Sequence, residues 1–356
     1  MARLGSVQYL RAIAALAVVA FHVWKNLLGA RPDFNILRFG EFGVDLFFVI
    51  SGFIITTSTT NEASPTYFIA KRAVRIIPLY WLVTVAYLVI GLVAPNLLRS
   101  TVIKPAHVIS SFLFVPSYHP VFPTEIWPLV IPGWSLNYEW FFYLVFAIAI
   151  ALNPRHRAVL SIGFLTVLVG LGLNVSTHDP IVLTYTDTLL IEFIFGVAVG
   201  EIFIEKNIRA IQLAIAIFLF VGAVGVALKQ ADAIVWQCFL YGSMSAALLS
   251  TLLWFEKRGR RFANRVALGL GDASYSIYLT HVTVIAVLRT FVNRMGIQEL
   301  GSGLDIAILG VALSISALIG WIIFVLIERP LTARLNAYLR SWRISANAIQ
   351  AIVKAD

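Results

Sequence analysis

The stretch VQYLRAIAALAVVAFHVW, residues 7–24, is long and apolar enough to cross a membrane, yet it contains an arginine and a histidine. Arg11 and His22 are eleven residues apart. A helix makes three turns and about 20° over that distance, so both side chains lie on one face, about 16 Å apart along the axis. Ionisable groups are costly in a spanning helix and usually face a bundle interior or a water-filled cavity. The stretch therefore predicts a membrane helix with a functional site on its inner face.

The composition of the whole chain is that of an integral membrane protein. Of its 356 residues, 60% are hydrophobic and only 13% are charged, so the chain is far more apolar than a soluble domain. Apolar stretches recur from end to end and predict an all-α, polytopic protein with about ten transmembrane helices. The predicted spans are residues 7–28, 42–60, 76–94, 138–152, 159–174, 184–204, 210–228, 233–255, 270–292 and 304–327.

Basic residues orient this bundle, because Lys and Arg near the ends of spans collect on the cytoplasmic side. Most of the 27 basic residues fall on the side of the two termini, so we expect both termini to be cytoplasmic. The net charge of +9 then reflects topology, and basic residues scattered among short loops argue against nucleic-acid binding. We expect one transmembrane domain over residues 1–330 and a short basic cytoplasmic tail over residues 331–356.

Four ionisable side chains are predicted to lie in the outer half of the bundle. If odd-numbered spans run outward, the depth along each helix places His22, His281, Asp45 and Glu139 there. A neutral histidine that a carboxylate holds in one tautomer can remove a proton from a hydroxyl group. His22 is the candidate base, and both Asp45 and Glu139 are candidates to orient it. Structural roles stay open, since each histidine could bond a backbone or hydroxyl group and each carboxylate could cap its helix.

Arginines gather at the opposite, cytoplasmic end. Arg11 lies near the inner end of the first span, and Arg72 and Arg75 follow the second span. Arginine binds phosphate through charge-assisted, bidentate hydrogen bonds, although these residues could also be topology signals alone. The pattern predicts a basic mouth for a phosphorylated donor below a histidine base, which is a transmembrane group-transfer site. No metal is expected, because the single cysteine, Cys238, has no neighbours with metal-ligand spacing.

Several motifs are similar to those of one protein family. They are the Arg11-to-His22 spacing, GVDLFFVISGF at 43–53, FIAKRAVRIIPLYW at 68–81, PGWSLNYEWFFY at 132–143, GDASYSIYLTH at 271–281 and ERP at 328–330. In this order they resemble the membrane-bound acyltransferase-3 family over nearly the whole chain, and within it the exopolysaccharide acetyltransferases of the ExoZ type. The resemblance implies an O-acyltransferase of the bacterial inner (cytoplasmic) membrane that transfers an acyl group, in particular acetyl, from cytoplasmic acyl-CoA to a cell-envelope glycan.

The resemblance also implies a role for each motif residue. Some members of the family append an extracytoplasmic hydrolase-like domain; this sequence has none, so we expect direct transfer from CoA to a hydroxyl group. The charged pair Glu328 and Arg329 is expected to be structural. The implied catalytic residues are His22, Asp45 and Glu139, the implied donor-binding residues are Arg11, Arg72 and Arg75, and the secondary candidates to contact the acceptor are Trp134, Asn137 and His281.

A second function class is compatible with the same residues. Ten spans with buried Arg, His, Asp and Glu would also suit a proton-coupled transporter or a flippase of a polysaccharide precursor. A carrier of the inverted-repeat type should show two similar halves, and no repeat relates the first five predicted spans to the last five. The enzyme is therefore favoured. Its expected partners are acyl-CoA, membrane lipid and a glycan or lipid-linked oligosaccharide, with a homodimer or a polysaccharide-assembly complex left open.

Overall fold

The computed structural model describes residues 4–60, 62–93, 102–204, 233–295 and 302–353, and in these ranges the regular structure is entirely helical. Seven helical segments of this part are long and apolar enough to cross a membrane, which confirms the predicted all-α, polytopic membrane protein. The predicted span at 210–228 lies outside the described residues, so the total of ten spans and the cytoplasmic termini stay predictions. The seven segments are Gly5–Asn26, Pro32–Ser58, Pro65–Val93, Ile131–Leu152, Gln237–Lys257, Ser274–Arg294 and Leu304–Arg343.

We number the described helices in chain order. Short 3-10 turns at Pro32–Glu41 and Ile131–Gly133 lead into the second and fifth helices, and a π turn at Phe324–Glu328 joins the last two. The helices are α1 (Gly5–Asn26), α2 (Phe42–Ser58), α3 (Pro65–Val93), α4 (Pro105–Phe112), α5 (Trp134–Leu152), α6 (Arg157–Gly172), α7 (Pro180–Tyr185), α8 (Leu190–Ile204), α9 (Ala233–Lys257), α10 (Arg265–Arg294), α11 (Ser302–Ile323) and α12 (Arg329–Val353).

Helices α1 and α10 run parallel and in close contact. Ala15 and Ala273 are fully buried, and a Cβ atom on Gly271 would lie only 2.1 Å from the backbone oxygen of Gln8. Small residues thus let the two backbones touch, as they do in other membrane helix pairs. The start of the pair is held by a hydrogen bond of 2.7 Å from the N–H of Asn264 to the hydroxyl of Tyr9. This contact sets the distance between every side chain that α1 and α10 direct toward each other.

The predicted cytoplasmic tail continues as helix α12, which is tied back to the start of α3. Arg343 donates from its two Nη atoms to the two carboxylate oxygens of Glu62, at 3.0 and 3.1 Å. The guanidinium carbon also lies 4.1 Å from the ring centre of Tyr67. A bidentate arginine–carboxylate pair fixes direction as well as distance. The pair therefore holds the middle of α12 against the start of α3. The predicted domain boundary at residue 330 stays a prediction.

Helices α2 and α8 cross at glycines. A Cβ atom on Gly196 would lie 2.1 Å from the backbone oxygen of Val49, and one on Gly52 would lie 2.5 Å from the backbone oxygen of Phe193. No side chain fits at either position without moving a backbone. The crossing holds α8 against the face of α2 that also carries Asp45.

The substitution Gly196→Ala tests this crossing. The added methyl group must displace the backbone of α2, and overpacking of this kind costs about 1–3 kcal/mol. We expect a lower unfolding temperature, measured by differential scanning fluorimetry on purified protein in a single detergent. Gly163→Ala in α6 is the matched control, because a Cβ atom there has nothing within 4 Å. Alanine is the better helix former, so the control should keep or raise the unfolding temperature. Equal behaviour of the two variants would contradict the close crossing.

Candidate functional site

Two neighbouring cavities inside the bundle contain most of the predicted site residues. Their volumes are about 330 Å³ and about 590 Å³. Val44 of α2 and Tyr278 of α10 line both cavities, so these side chains form part of a shared wall. We call the smaller one the arginine cavity, because its lining includes Arg11, Arg72, Arg75 and Glu139. The larger one is the histidine cavity, whose lining includes His22, His281 and Trp134.

His22 of α1 and His281 of α10 contact each other. Nε2 of His281 lies 3.3 Å from Nδ1 of His22, and the ring centres are 4.8 Å apart. Nδ1 of His22 also lies 2.9 Å from the backbone oxygen of Val18, and Nδ1 of His281 bonds the backbone oxygen of Tyr278. Carbonyl oxygens only accept, which assigns a proton to each Nδ1. His22 then shares its Nδ1–H between Val18 and the unprotonated Nε2 of His281.

This arrangement leaves Nε2 of His22 with a free lone pair. No described residue bonds that atom, and the ring lines the histidine cavity. His281, which lines the same cavity, is 1% exposed and has a partner at each ring nitrogen. A neutral imidazole whose other nitrogen is held by hydrogen bonds is the form of histidine that can remove a proton. The geometry therefore suits His22 as a base, with His281 fixing its tautomer.

Neither of the predicted carboxylate partners contacts His22. Glu139 lies in the arginine cavity, where its Oε1 accepts from Ser51 at 2.8 Å and from Tyr143. Asp45 lines neither cavity and lies beside Glu192 of α8 instead. The reason is helix phase, because Asp45 is about 100° around α2 from the preceding residue, which faces the cavities. The expectation that a carboxylate orients His22 is corrected by the structure, in which a second histidine takes that place.

The contact between Asp45 and Glu192 is a buried carboxyl pair. The two side chains are 7% and 0% exposed, and neither oxygen of Glu192 receives a bond from any donor in the part of the chain that the structure describes. The pair joins α2 to α8 next to the glycine crossing, away from both cavities.

Arg72 and Arg11 reach the arginine cavity without a carboxylate partner among the described residues. Arg72 donates to the hydroxyl of Ser58 at 3.1 Å, and its buried Nε has no partner there. Arg11 donates to the side-chain oxygen of Gln8 at 3.3 Å. Guanidinium groups that line a cavity with unused donors suit an anionic ligand, phosphate in particular. The structure brings together the three arginines that the sequence grouped.

Arg75 is held by Glu328, a residue whose part in the site the sequence did not reveal. The two form an ion pair, and the second oxygen of Glu328 accepts from Ser276 at 2.6 Å. Glu328 is 2% exposed and ends the π turn, a helix irregularity that is frequent at functional sites. The expected structural role at the membrane interface is therefore incomplete. The signal in the sequence was a carboxylate directly after the last apolar span.

Tyr278 and the start of α5 form the rest of the wall between the cavities. The hydroxyl of Tyr278 donates to the backbone oxygen of Pro132 at 3.0 Å and lies 2.8 Å from the hydroxyl of Ser135. Trp134 lines the histidine cavity and Ser135 the arginine cavity, while Asn137 lines neither. The cluster thus lies between the two cavities. Tyr278 precedes His281 by three residues, the helical spacing that could have identified it.

The segment before α5 brings Phe122 and Trp127 to the histidine cavity and is supported by two buried histidines. The rings of His107 and His119 are 5.5 Å apart, and Nδ1 of His119 accepts from the N–H of Phe122 at 3.2 Å. Burial, with the nearby His119 and Lys104, lowers the pKa of His107 to about 4. Burial also lowers the pKa of His119.

These pKa shifts make the folding of this segment pH-dependent. An unfolded histidine has a pKa near 6.5, so between about pH 6.5 and 4 the unfolded segment binds a proton that the folded segment does not. The segment should therefore lose stability as the pH falls through that range. We expect hydrogen–deuterium exchange at residues 105–128, corrected for intrinsic rates, to increase over it. His107→Gln should flatten the dependence, and an unchanged slope in that variant would contradict the assignment.

Comparison with known proteins agrees with the family resemblance of the sequence motifs. The chain matches the model of an acyltransferase domain family over residues 4–326. It is 36% identical over 296 residues to the exopolysaccharide production protein ExoZ of Rhizobium meliloti (strain 1021), which covers 83% of this chain and 90% of that protein. It is 26% identical over 359 residues to the acyltransferase MdmB of Streptomyces mycarofaciens, which covers 92% and 91%.

A third relative is matched over part of its length. The chain is 25% identical over 318 residues to the peptidoglycan O-acetyltransferase OatA of Listeria monocytogenes, which covers 79% of this chain and 49% of that protein. The chain thus spans about half the length of this relative. No solved structure matches the chain.

Proposed function

Because the chain belongs to the acyltransferase family whose model covers residues 4–326, we propose that it transfers an acetyl group from acetyl-CoA to a hydroxyl group of an exopolysaccharide or a related cell-envelope glycan. The relatives' names, exopolysaccharide production protein and O-acetyltransferase, support this choice of acyl group and acceptor. One observation carries the proposal: the arginine cavity shares a wall with the histidine cavity, which His22 lines. The protein is a multi-pass membrane O-acyltransferase, and we assign it to the bacterial inner membrane, where cytoplasmic acyl-CoA is available.

The donor is assigned to the arginine cavity. Arg11, Arg72 and Arg75 provide the positive charge for the phosphates of CoA, and the unpartnered Nε of Arg72 offers a further donor. Basic residues collect on the cytoplasmic side, which supports the entry of the donor from there. The acyl end then points to the wall formed by Tyr278 and Ser135, beyond which His22 lies.

The acceptor is assigned to the histidine cavity, and His22 is the base. Nε2 of His22 removes the proton of the hydroxyl group as its oxygen attacks the carbonyl carbon of the thioester. The carbon–sulfur bond then breaks, and the thiolate of CoA takes the proton from Nε2. The products are an ester and the free thiol, so the base is regenerated without a covalent intermediate on the protein.

The remaining site residues support this step indirectly. His281 accepts the Nδ1–H of His22, which keeps Nε2 free and positions the ring. Glu139 accepts from Tyr143, the ring beside Arg72, and so positions the donor cavity. We assign Asp45 to the contact with α8. Trp134 lines the histidine cavity, and we assign it to the acceptor side.

A transporter or flippase would also use buried ionisable residues. Arg11 and Arg72, however, lack a carboxylate partner among the described residues, and the base lies across one wall from them. Those features fit a donor with phosphate groups better than a proton relay, in which acidic and histidine side chains pass a proton along a chain. Family membership favours the same answer.

Replacement of His22 by alanine should abolish acyl transfer. A positioned base contributes typically 10²–10⁴-fold, so we expect release of CoA thiol from acetyl-CoA to fall by at least about 100-fold. The assay uses purified protein in lipid, with envelope glycan from a strain that lacks the protein as the acceptor.

Two further variants make this result specific. His156→Ala removes an exposed histidine that lines neither cavity and should keep full activity. His281→Ala removes the acceptor for the Nδ1–H of His22 and should lose about tenfold, in line with one hydrogen bond. Wild-type activity in His22→Ala would exclude His22 as the base.

A further inference from the structure

The histidine cavity contains two basic side chains that the proposed reaction does not use. They are Lys25, in the last turn of α1, and Arg289, near the end of α10. Neither forms an ion pair with a residue that the structure describes. Glu41, the acidic residue of the same lining, is contacted by the side-chain amide of Gln237 at 3.3 Å. The cavity lining therefore has more positive than negative charge, and neither cation has a carboxylate partner among the described residues.

The two cations lie on the same side of the histidine pair. Lys25 follows His22 by three residues, so the two side chains share a face of α1, about 4.5 Å apart along the axis. Arg289 follows His281 by eight residues, about 12 Å along α10. Because α1 and α10 run parallel, both cations are displaced in the same direction, toward the ends of the two helices. A ligand that bonds Nε2 of His22 would extend toward both.

Lys25 and Arg289 lie at the depth of the membrane surface. Lys25 lies in the last turn of a 22-residue spanning helix, where polar headgroups begin. Aromatic rings make up much of the remaining lining, with a few polar groups among them, which is the usual character of a site for a small organic group. The aromatic residues are Phe21, Tyr87, Phe122, Trp127, Trp134 and Tyr278.

We propose that Lys25 and Arg289 form a phosphate subsite for the acceptor, so that the acylated sugar is carried on a membrane lipid through a phosphate or diphosphate. The reacting hydroxyl lies at Nε2 of His22, and the phosphate of the same molecule lies between one and three helical turns away. Arginine binds such a group bidentately and lysine binds it as a point charge. This inference rests on the proposed function, because it takes His22 as the reacting group.

Equilibrium binding of two synthetic probes tests the subsite. One probe is a radiolabelled polyprenyl diphosphate hexose, and the other is the same polyprenyl hexoside without the diphosphate. Both are presented to the full chain in phosphatidylcholine vesicles. The diphosphate probe should bind at least tenfold more tightly. Lys25→Gln and Arg289→Gln should each weaken its binding about tenfold, the effect of one charge-assisted hydrogen bond, and leave the neutral probe unaffected. Arg289→Lys should lose less.

Arg294→Gln is the matched control, because Arg294 also lies near the end of α10 but does not line the cavity. It should bind the diphosphate probe as the wild type does. All variants must keep the wild-type unfolding temperature, and the conservative Arg289→Lys replaces Arg289→Gln if the latter does not. Equal binding of the two probes, or equal losses in Arg289→Gln and Arg294→Gln, would overturn the proposal.

Two further measurements distinguish binding of the acceptor from binding of lipid headgroups, and failure of the subsite from failure of the acyltransferase reaction. Phosphatidylglycerol in the vesicles should not displace the diphosphate probe; if it does so fully, the cations bind lipid headgroups and the proposal is overturned. His22→Ala should bind the diphosphate probe normally but release no CoA. Wild-type protein that binds this probe but never releases CoA would count against the acyltransferase reaction alone. Failure of probe binding with normal CoA release would count against the subsite alone.

Discussion

The hydrogen bond between His22 and His281 requires α1 and α10 to approach until their backbones touch. Gly271 and the buried alanines permit that approach, since any side chain at Gly271 would meet the backbone of Gln8. Once the helices are this close, two imidazole rings fill the space between them at 4.8 Å. The carbonyl groups beside them then fix both tautomers and leave one lone pair facing the cavity. Helix packing thus fixes the tautomer of the proposed base, which no carboxylate in the described part of the chain contacts.

The arginine cavity depends on how the positive charges of its arginines are neutralised. A charged side chain inside a membrane protein is costly unless it is paired or solvated, and the removal of one partner of a buried ion pair costs about 3–5 kcal/mol. Arg75 meets this requirement through Glu328, whereas Arg11 and Arg72 have no carboxylate partner in the described part of the chain. An anionic ligand would complete the neutralisation. The cost of two such arginines is a reason for the site to bind phosphate groups tightly.

Much of this arrangement could be predicted from the sequence, because depth and phase along one helix follow from geometry. Geometry along single helices predicted that Arg11 and His22 share one face of α1. It also predicted that Arg72 and Arg75 lie at the same end of the bundle as Arg11. The pairing of neighbouring helices is a tertiary property, so the sequence did not indicate that His281 would contact His22. For the same reason the sequence placed Asp45 at the depth of the site but did not indicate that its side of α2 packs against α8. Glu328 reaches Arg75 through a π turn, which the periodicity of a regular helix does not predict.

A structure of the protein with bound CoA tests the central claim most directly, namely that donor and base occupy adjoining cavities. We suggest cryo-electron microscopy of the protein in lipid nanodiscs with a thioether analogue of acetyl-CoA, which cannot transfer its acyl group. The account predicts phosphate groups within hydrogen-bonding distance of Arg72 and Arg75, and an acyl end at Tyr278 that faces Nε2 of His22. Phosphate groups bound in the histidine cavity, or an acyl end directed away from His22, would contradict it.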